Sequence, residues 1–341
     1  MVIRQALEHC SPRPACRGAG GPEQSRPVNP AAPFATLSNV SRTLAGREVV
    51  KELDLEIRRG EVLGLLGVNG AGKSTTLRML AGVLAPTTGT IRLDGADLYE
   101  NPGLARRSIG YLPEVPPLHD ELTVEEYLGF CARLHGLGRG MVEAVDRVIQ
   151  RCDLGGVRRR LIGALSKGFR QRVGIAQAIV HEPDLVVLDE PTAGLDPVQT
   201  RNMRTLVEGL AIGHAVVLST HVLPDVLASC RRVAILHEGR LCYVADTAAP
   251  STDGILVRVR TARAMRREDW PTLRIAASAT PLDDDDPRHW RVHLPVGLRI
   301  EALPAALVER GFGVEELRPE QAPLEEIFLS IAAGERPAVA A

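Results

Sequence analysis

The sequence predicts an α/β protein with a largely parallel sheet and helices on both faces, and three observations carry that prediction. Continuous apolar runs without alternation, Leu185–Leu188 and Ala215–Leu218 among them, suit central strands covered on both sides. Helical patterns such as Val198 to Leu210 lie between those runs, and alternating strand and helix argues for parallel order. The third observation is the stretch Gly67-Val68-Asn69-Gly70-Ala71-Gly72-Lys73-Ser74-Thr75, which joins the apolar run 61–66 to a helical pattern over 76–81. The spacing G-x-x-x-x-G-K-[ST] between strand and helix is a phosphate-binding P-loop.

The chemistry of that loop follows from its residue types. Glycines let the backbone turn tightly and aim several N–H groups at one point, an anion nest at a helix N-terminus. Lys73 is expected to reach the β- and γ-phosphates of a bound nucleotide, and the Ser74 hydroxyl to ligate Mg²⁺. Composition supports a selected role for Lys73. The chain has lysine only at Lys51, Lys73 and Lys167 and otherwise uses arginine, so a compact ammonium stands here where a planar fork would not serve.

At 341 residues the chain has room for a large core and more than one domain. A net charge of −1 gives no electrostatic case for nucleic-acid binding, and no nucleic-acid partner is expected. No apolar segment is long enough for a membrane span, and the N-terminus lacks a secretory apolar region. Six scattered cysteines without a C-x-x-C pair suit a reduced cytoplasm rather than a disulfide framework.

Taken in order, residues 1–33 are rich in Pro, Gly, Ala, Ser and Arg and read as a disordered tail. Phe34–Val40 and Leu53–Ile57 alternate apolar and polar as half-buried strands do, with a turn at Ala45-Gly46-Arg47 between them. After the P-loop helix, Pro86–Gly89 is a turn and Ile91–Leu93 a short strand. Residues 118–165 read as mostly helical. Thr123-Val124-Glu125-Glu126 has the form of a capping box, ahead of an expected apolar face of Tyr127, Phe130, Leu134 and Leu137. A second helix is expected over Met141–Cys152, and Arg232–Leu236 as a further strand. The pattern breaks around 245–253. Beyond lies a small α+β unit, with strands at Ile255–Val259 and Trp290–Leu294 and helices at Ala305–Arg310 and Leu324–Ala333. The run Asp283–Asp286 reads as a solvated loop.

Asp189-Glu190, closing a buried strand, is the second element a P-loop enzyme needs. Asp189 is expected beside Mg²⁺, and Glu190 is placed to polarise a water for in-line attack on the γ-phosphorus, a role typically worth about 10²–10⁴-fold in rate.

Between the two elements lies Leu165-Ser166-Lys167-Gly168-Phe169-Arg170-Gln171-Arg172, and here the chain resembles the ATP-binding cassette (ABC) family of transporter ATPases, whose signature reads L-S-G-G-Q. Ala193-Gly194-Leu195-Asp196 resembles the D-loop, Ser219-Thr220-His221 the switch-histidine segment, and Ile109–Glu114 stands in the place of the Q-loop. The Leu-Pro-Glu and Leu-Ser-Lys-Gly-aromatic variants look most like ATPase subunits of ABC-2 type exporters, including the gliding-motility-like branch. Pro323–Leu329 resembles the end of the accessory domain in such subunits.

The resemblance implies a P-loop NTPase cassette over 34–247, with a mixed sheet core and antiparallel and helical subdomains, followed by a small regulatory α+β domain over 248–341. It implies an ATPase using ATP and Mg²⁺ that closes head to tail as a homodimer or with a paired ATPase subunit. Ser166 and the N–H of Gly168 would contact the γ-phosphate on the opposite chain. Asp196 would lie at the shared nucleotide, and His221 would contact the γ-phosphate in its own chain. Glu114, where glutamine is usual, would serve Mg²⁺ with an oxygen while adding negative charge. Leu44 stands where an aromatic would stack on adenine, and Lys167 replaces a signature glycine. The implied partner is a transmembrane permease, with the chain cytoplasmic and peripheral on the inner face of the membrane. The other reading is a soluble ABC-type ATPase acting on a nucleic-acid or ribosomal partner. The stretch between Lys73 and Leu165 is too short for the coiled-coil insertion of the DNA-repair relatives, and a single P-loop does not match the two-cassette ribosomal ones.

Overall fold

A computed structural model describes residues 33–246, 255–273, 275–276, 278–283, 286–295, 298–320 and 324–332, and the structural statements concern those residues. The expected N-terminal tail lies outside them except for Pro33, as does most of the expected break at 245–253.

Alternation builds the first layer. β1 (Ala35–Leu44) and β2 (Arg47–Ile57) form an antiparallel hairpin, both longer than their apolar stretches suggest. The P-loop strand β3 (Val62–Leu66) is buried throughout and leads to α1 (Lys73–Leu80). β4 (Thr88–Leu93) pairs with β1, and the two-residue β5 (Ala96–Asp97) completes an antiparallel sheet of order β2-β1-β4-β5. Next come α2 (Pro102–Ser108) and β6 (Ile109–Leu112), then the helical block α3 (Val124–Leu134), α4 (Met141–Arg151) and α5 (Lys167–Ile179).

The capping box forms as its spacing predicts. The Glu126 amide donates to Thr123 Oγ1 at 3.3 Å and the Thr123 amide to Glu126 Oε2 at 2.9 Å. Such a cap is worth about 1 kcal/mol. The apolar face of α3 differs from expectation. Val124, Tyr127, Leu128, Cys131 and Ala132 are buried, whereas Phe130 is 37% and Leu134 61% exposed. Apolar residues occupy two helical phases here, and packing against α4 and α5 selects the one containing Leu128 and Cys131.

β7 (Leu185–Asp189), α6 (Pro197–Leu210), β8 (Ala215–Thr220), α7 (Leu223–Ser229), β9 (Arg232–His237) and β10 (Arg240–Asp246) complete the central sheet, of order β10-β9-β3-β8-β7-β6. Every pairing in it is parallel except β9 with β10. The period-two alternation of its strands divides the core. Val62, Leu66, Val186, Leu188, Val216 and Leu218 face the helical block, while Leu63, Leu65, Leu185, Val187, Ala215 and Val217 face the antiparallel sheet and α1. Burying such side chains stabilises by about 1.5–3 kcal/mol each.

The C-terminal part contains β11 (Ile255–Arg260), α8 (Trp270–Leu273), β12 (Ser278–Pro281), β13 (His289–Leu294), α9 (Ala302–Glu309), β14 (Glu316–Glu320) and α10 (Leu324–Ala332). Its antiparallel sheet, order β12-β13-β11-β14, carries a separate core around Val257, Val259, Trp290, Val292, Leu303 and Leu307. α10 leaves this unit. Its Ile327 and Ile331 are buried in the core of the central sheet's helical side, and the helix packs on β9. Of the acidic run, Asp284 and Asp285 lie outside the described residues. Asp286 is not simply solvated, being paired with Arg288 at 3.0 Å and Arg260 at 3.2 Å.

Candidate functional site

The P-loop sits at the C-terminal end of β3, and its position is fixed by main-chain contacts. Gly72 caps α1 at φ 101°, a left-handed conformation that glycine adopts without steric cost. A Cβ there would come within 2.8 Å of the Val49 carbonyl of β2. The amide of Gly239, at the β9–β10 turn, donates to the Ala71 carbonyl at 3.1 Å, and its own carbonyl accepts from the Lys51 amide at 2.8 Å. β2, the P-loop and the β9–β10 turn therefore meet at one point.

Lys73 is buried. Its Nζ donates to the Gly67 carbonyl at 2.7 Å, approaches the Val68 carbonyl at 3.3 Å and stands 3.9 Å from Glu190 Oε1. Burial pulls its pKa below the usual lysine value, against the opposing pull of Glu190, Asp189 and Glu114. The ammonium is thus aimed by the loop's own carbonyls and held among carboxylates.

Ser74 Oγ donates to Asp189 Oδ1 at 3.1 Å, so α1 and the end of β7 bring a hydroxyl and a carboxylate together. Ser219, on β8, reinforces the same carboxylate, donating to Asp189 Oδ1 at 2.6 Å while accepting from the Glu190 amide at 3.0 Å. The parallel register places Ser219 opposite Asp189. Glu190 has φ 49°, uncommon for a residue with a side chain, and the Ala193 amide donates to the Glu190 carbonyl at 3.1 Å to close the turn. His221 Nδ1 stands 3.0 and 3.1 Å from the two Glu190 oxygens, with the proton on Nδ1 in a donating tautomer.

Five of the residues expected from sequence therefore converge: Lys73, Ser74, Asp189, Glu190 and His221. Ser74 and Asp189 present hard oxygens, as Mg²⁺ prefers. No group of three His, Cys, Asp or Glu able to hold a metal occurs among the described residues. Glu114 is exposed and close enough for its charge to act on Lys73.

Ser166, Gly168 and Asp196 form a second group. Among the described residues, no hydrogen bond or ion pair joins them to the first. Ser166 is the N-cap of α5 with no side-chain cap bond and is exposed, and Asp196 caps α6 by accepting from the Gln199 amide at 2.8 Å. A Cβ on Gly168 would come within 2.8 Å of Gln199 Oε1, and one on Gly194 within 2.3 Å of Lys167 Nζ. The segment around Ser166 thus packs against the segment around Asp196 in the same chain, with Lys167 lying over Gly194. Leu44 ends β1 at the hairpin, 36% exposed.

Sequence reasoning assigned no role to Ser219, Thr192, Asp225 or Gly239. Ser219 and Thr220 carried a usable signal, since two hydroxyls close a strand that is otherwise Ala-Val-Val-Leu and wholly buried. Asp225 carried none, because a carboxylate near the start of a helix is ordinary.

A family model described as ABC transporter matches residues 50–193. The chain is 36% identical over 206 residues to the bacitracin transport ATP-binding protein BcrA of Bacillus licheniformis, covering 60% of this chain and 67% of that one. It is 37% identical over 215 residues to the ABC transporter ATP-binding protein NatA of Bacillus subtilis, covering 61% of this chain and 87% of that one. Among solved structures, an ATP binding subunit of an ABC transporter matches with TM-score 0.57 and 32% identity, covering 62% of this chain and 90% of that one.

Proposed function

The chain belongs to the ABC transporter family as an ATP-binding protein and an ATPase, and from that premise we propose that it is the energy-coupling subunit of an ABC-2 type exporter. Two copies, or one copy with a paired ATPase subunit, close around ATP and drive a separate transmembrane permease from the inner face of the membrane. No described helix is long and apolar enough to cross a membrane. The exporter assignment draws support from the bacitracin transport relative and from a Nod factor export ATP-binding protein of Cupriavidus metallidurans, 35% identical over 207 residues.

The observation that carries the catalytic reading is the contact of His221 with Glu190 beside Lys73. The P-loop amides and Lys73 hold the β- and γ-phosphates. Ser74 and Asp189 are the residues that would hold Mg²⁺, which supplies charge neutralisation at the phosphates when bound. Glu190 accepts a proton from the water attacking the γ-phosphorus, and His221 fixes the orientation of that carboxylate and contacts the γ-phosphate. Ser166, exposed as the N-cap of α5, and the N–H of the buried Gly168 in the first turn of that helix suit the γ-phosphate of a facing subunit.

The test is Glu190→Gln in the full chain. Loss of hydrolysis with retained nucleotide binding, and accumulation of an ATP-dependent dimer on size exclusion, is the expected result. Hydrolysis at the wild-type rate would overturn the assignment of the base, and a monomer at saturating ATP would overturn the closing dimer. Co-purification of a polytopic membrane protein, as against ribosomes or nucleic acid, tests the permease.

A further inference from the structure

We infer that Asp225 is a positioning residue for hydrolysis, acting through Thr192 to fix Glu190 against His221. The inference rests on the reading of Glu190 as base and His221 as its partner.

Asp225 is a carboxylate only 6% exposed, in the first turn of α7. Among the described residues no hydrogen bond or ion pair joins it to the P-loop, Ser74 or Asp189. One oxygen, Oδ2, accepts from Thr192 Oγ1 at 2.5 Å, and the other, Oδ1, accepts from Arg204 Nη2 of α6. Thr192 lies two residues after Glu190, and α7 begins two residues after His221. Two chain segments thus leave the Glu190–His221 contact and are tied together again at the Thr192–Asp225 bond. The result is a closed ring of covalent chain and two hydrogen-bonded links.

Each segment needs such a tie. Glu190 holds a positive φ, and the turn after it is closed by one backbone bond from Ala193. His221 is at the end of β8 with half its side chain in solvent, so burial does not orient it. Val226, one residue after Asp225, is fully buried and would lie 3.1 Å from a Cβ on Gly64 of β3, which seats α7 on the P-loop strand. Arg204 anchors the carboxylate from a third element. A carboxylate so held, beneath the two groups that place the attacking water, sets their separation, and displacements near 1 Å at such groups cost up to about 10²-fold in rate.

Positioning and plain stabilisation predict opposite patterns in two variants. Thr192→Val removes only the hydroxyl from a half-buried site and leaves the Arg204–Asp225 pair intact. It is expected to lower kcat for Mg-ATP about 10- to 100-fold with KM within about twofold, and to lower the melting temperature less than Asp225→Asn does. Asp225→Asn keeps an acceptor for Thr192 but leaves Arg204 uncompensated. It is expected to lower the melting temperature while retaining kcat within about threefold. The double variant Thr192→Val with Asp225→Ala should be no slower than Asp225→Ala, as members of one unit are not additive.

Wild-type kcat in Thr192→Val, or kcat that tracks melting temperature across all the variants, overturns the inference. Glu190→Gln run beside them separates the failures. If that variant loses hydrolysis while Thr192→Val does not, only the positioning role falls. If Glu190→Gln hydrolyses normally, the underlying assignment of the base falls instead.

Discussion

The amide of Gly239 donates to the carbonyl of Ala71 across 3.1 Å, so the turn between β9 and β10 is bonded to the loop proposed to hold the nucleotide phosphates. Gly239 has φ 84°, and a Cβ on it would stand 2.5 Å from the Val49 carbonyl. Replacing it by alanine must move the turn, β2 or the P-loop. We expect Gly239→Ala to raise KM for ATP by about tenfold or more, as a positioning defect does. Gly46 is the matched control, since its φ is 79° and nothing lies within 4 Å of a Cβ there. Gly46→Ala carries the same backbone strain, on the order of 1 kcal/mol, and should leave KM unchanged. Steady-state hydrolysis of both variants decides it.

Lys73 is aimed by Gly67 and Val68 and lies 3.9 Å from Glu190. Lys73→Ala removes the cation from the phosphate cradle and leaves two carboxylates facing it. Nucleotide affinity should fall by about 100-fold or more, on the scale of a lost charge-assisted contact with added repulsion. Titration with a fluorescent ATP analogue reads this directly, and wild-type affinity would count against the cradle.

Glu61 and Arg232 pair at 2.8 Å with side-chain exposures of only 6% and 9%. Glu61 also accepts from the Arg58 amide at 2.8 Å, tying the turn before β3 to the start of β9. Removing one partner leaves the other charged and buried. Arg232 keeps Asp246 at 3.8 Å and the Glu56 carbonyl at 3.3 Å, so Glu61→Ala should cost about 3 kcal/mol in urea unfolding, at the low end for a broken buried pair, and Glu61→Ala with Arg232→Met should recover part of that loss.

His181 stacks on His135 with ring centroids 3.7 Å apart, and its Nε2 bonds the Ile109 carbonyl at 3.1 Å. Burial, then the charge of His135, pulls the His181 pKa from 6.5 down to about 4. The folded protein keeps this imidazole neutral where the unfolded chain would protonate it. Its contribution to stability is therefore complete above pH 6.5 and lost as pH falls from there towards 4. Burial also lowers His135 and His214, which act in the same direction. The urea midpoint of the wild type should drop across that interval, and His181→Gln should flatten the drop.

Ile331 of α10 is 3% exposed and lies in the same core as Val186 and Leu188 of β7. Ile331→Ala should destabilise the protein by about 2–5 kcal/mol. Because that core carries the strand ending in Asp189, urea unfolding followed by intrinsic and active-site probes should shift by the same amount. A change confined to the C-terminal sheet would show that α10 is not part of the shared core.

The sequence made the central sheet readable because physics left few choices there. Leu185–Leu188 has no polar phase, so it has to be covered on both faces, and β7 is. The P-loop was legible from spacing alone, since Gly72 and Lys73 satisfy demands that few other residues meet. β10 was not, because its residues alternate between exposed and half-buried and include Arg240, Cys242 and Asp246. An edge strand in such a position gets its order from pairing with β9 rather than from its own pattern. The face of α3 was misplaced because Phe130 and Leu134 complete a helical period as well as Leu128 and Cys131 do. The site divided similarly. Lys73, Ser74, Asp189 and Glu190 belong to local motifs, whereas Ser219 and Asp225 matter through partners 30 and 33 residues away.

The return of α10 onto β9 has a consequence for how the molecule is made. The helical side of the central core needs Ile327 and Ile331, yet these leave the ribosome only after the whole C-terminal sheet has been synthesised. Chains grow at about 5–20 residues per second, far slower than helices form or hydrophobic surfaces collapse. The nascent cassette therefore spends several seconds with the face of β9 beneath α10 uncovered, time in which a chaperone or an aggregating neighbour competes for it. Released chains ending before Leu324 should accordingly bind more of a hydrophobic dye than the full chain.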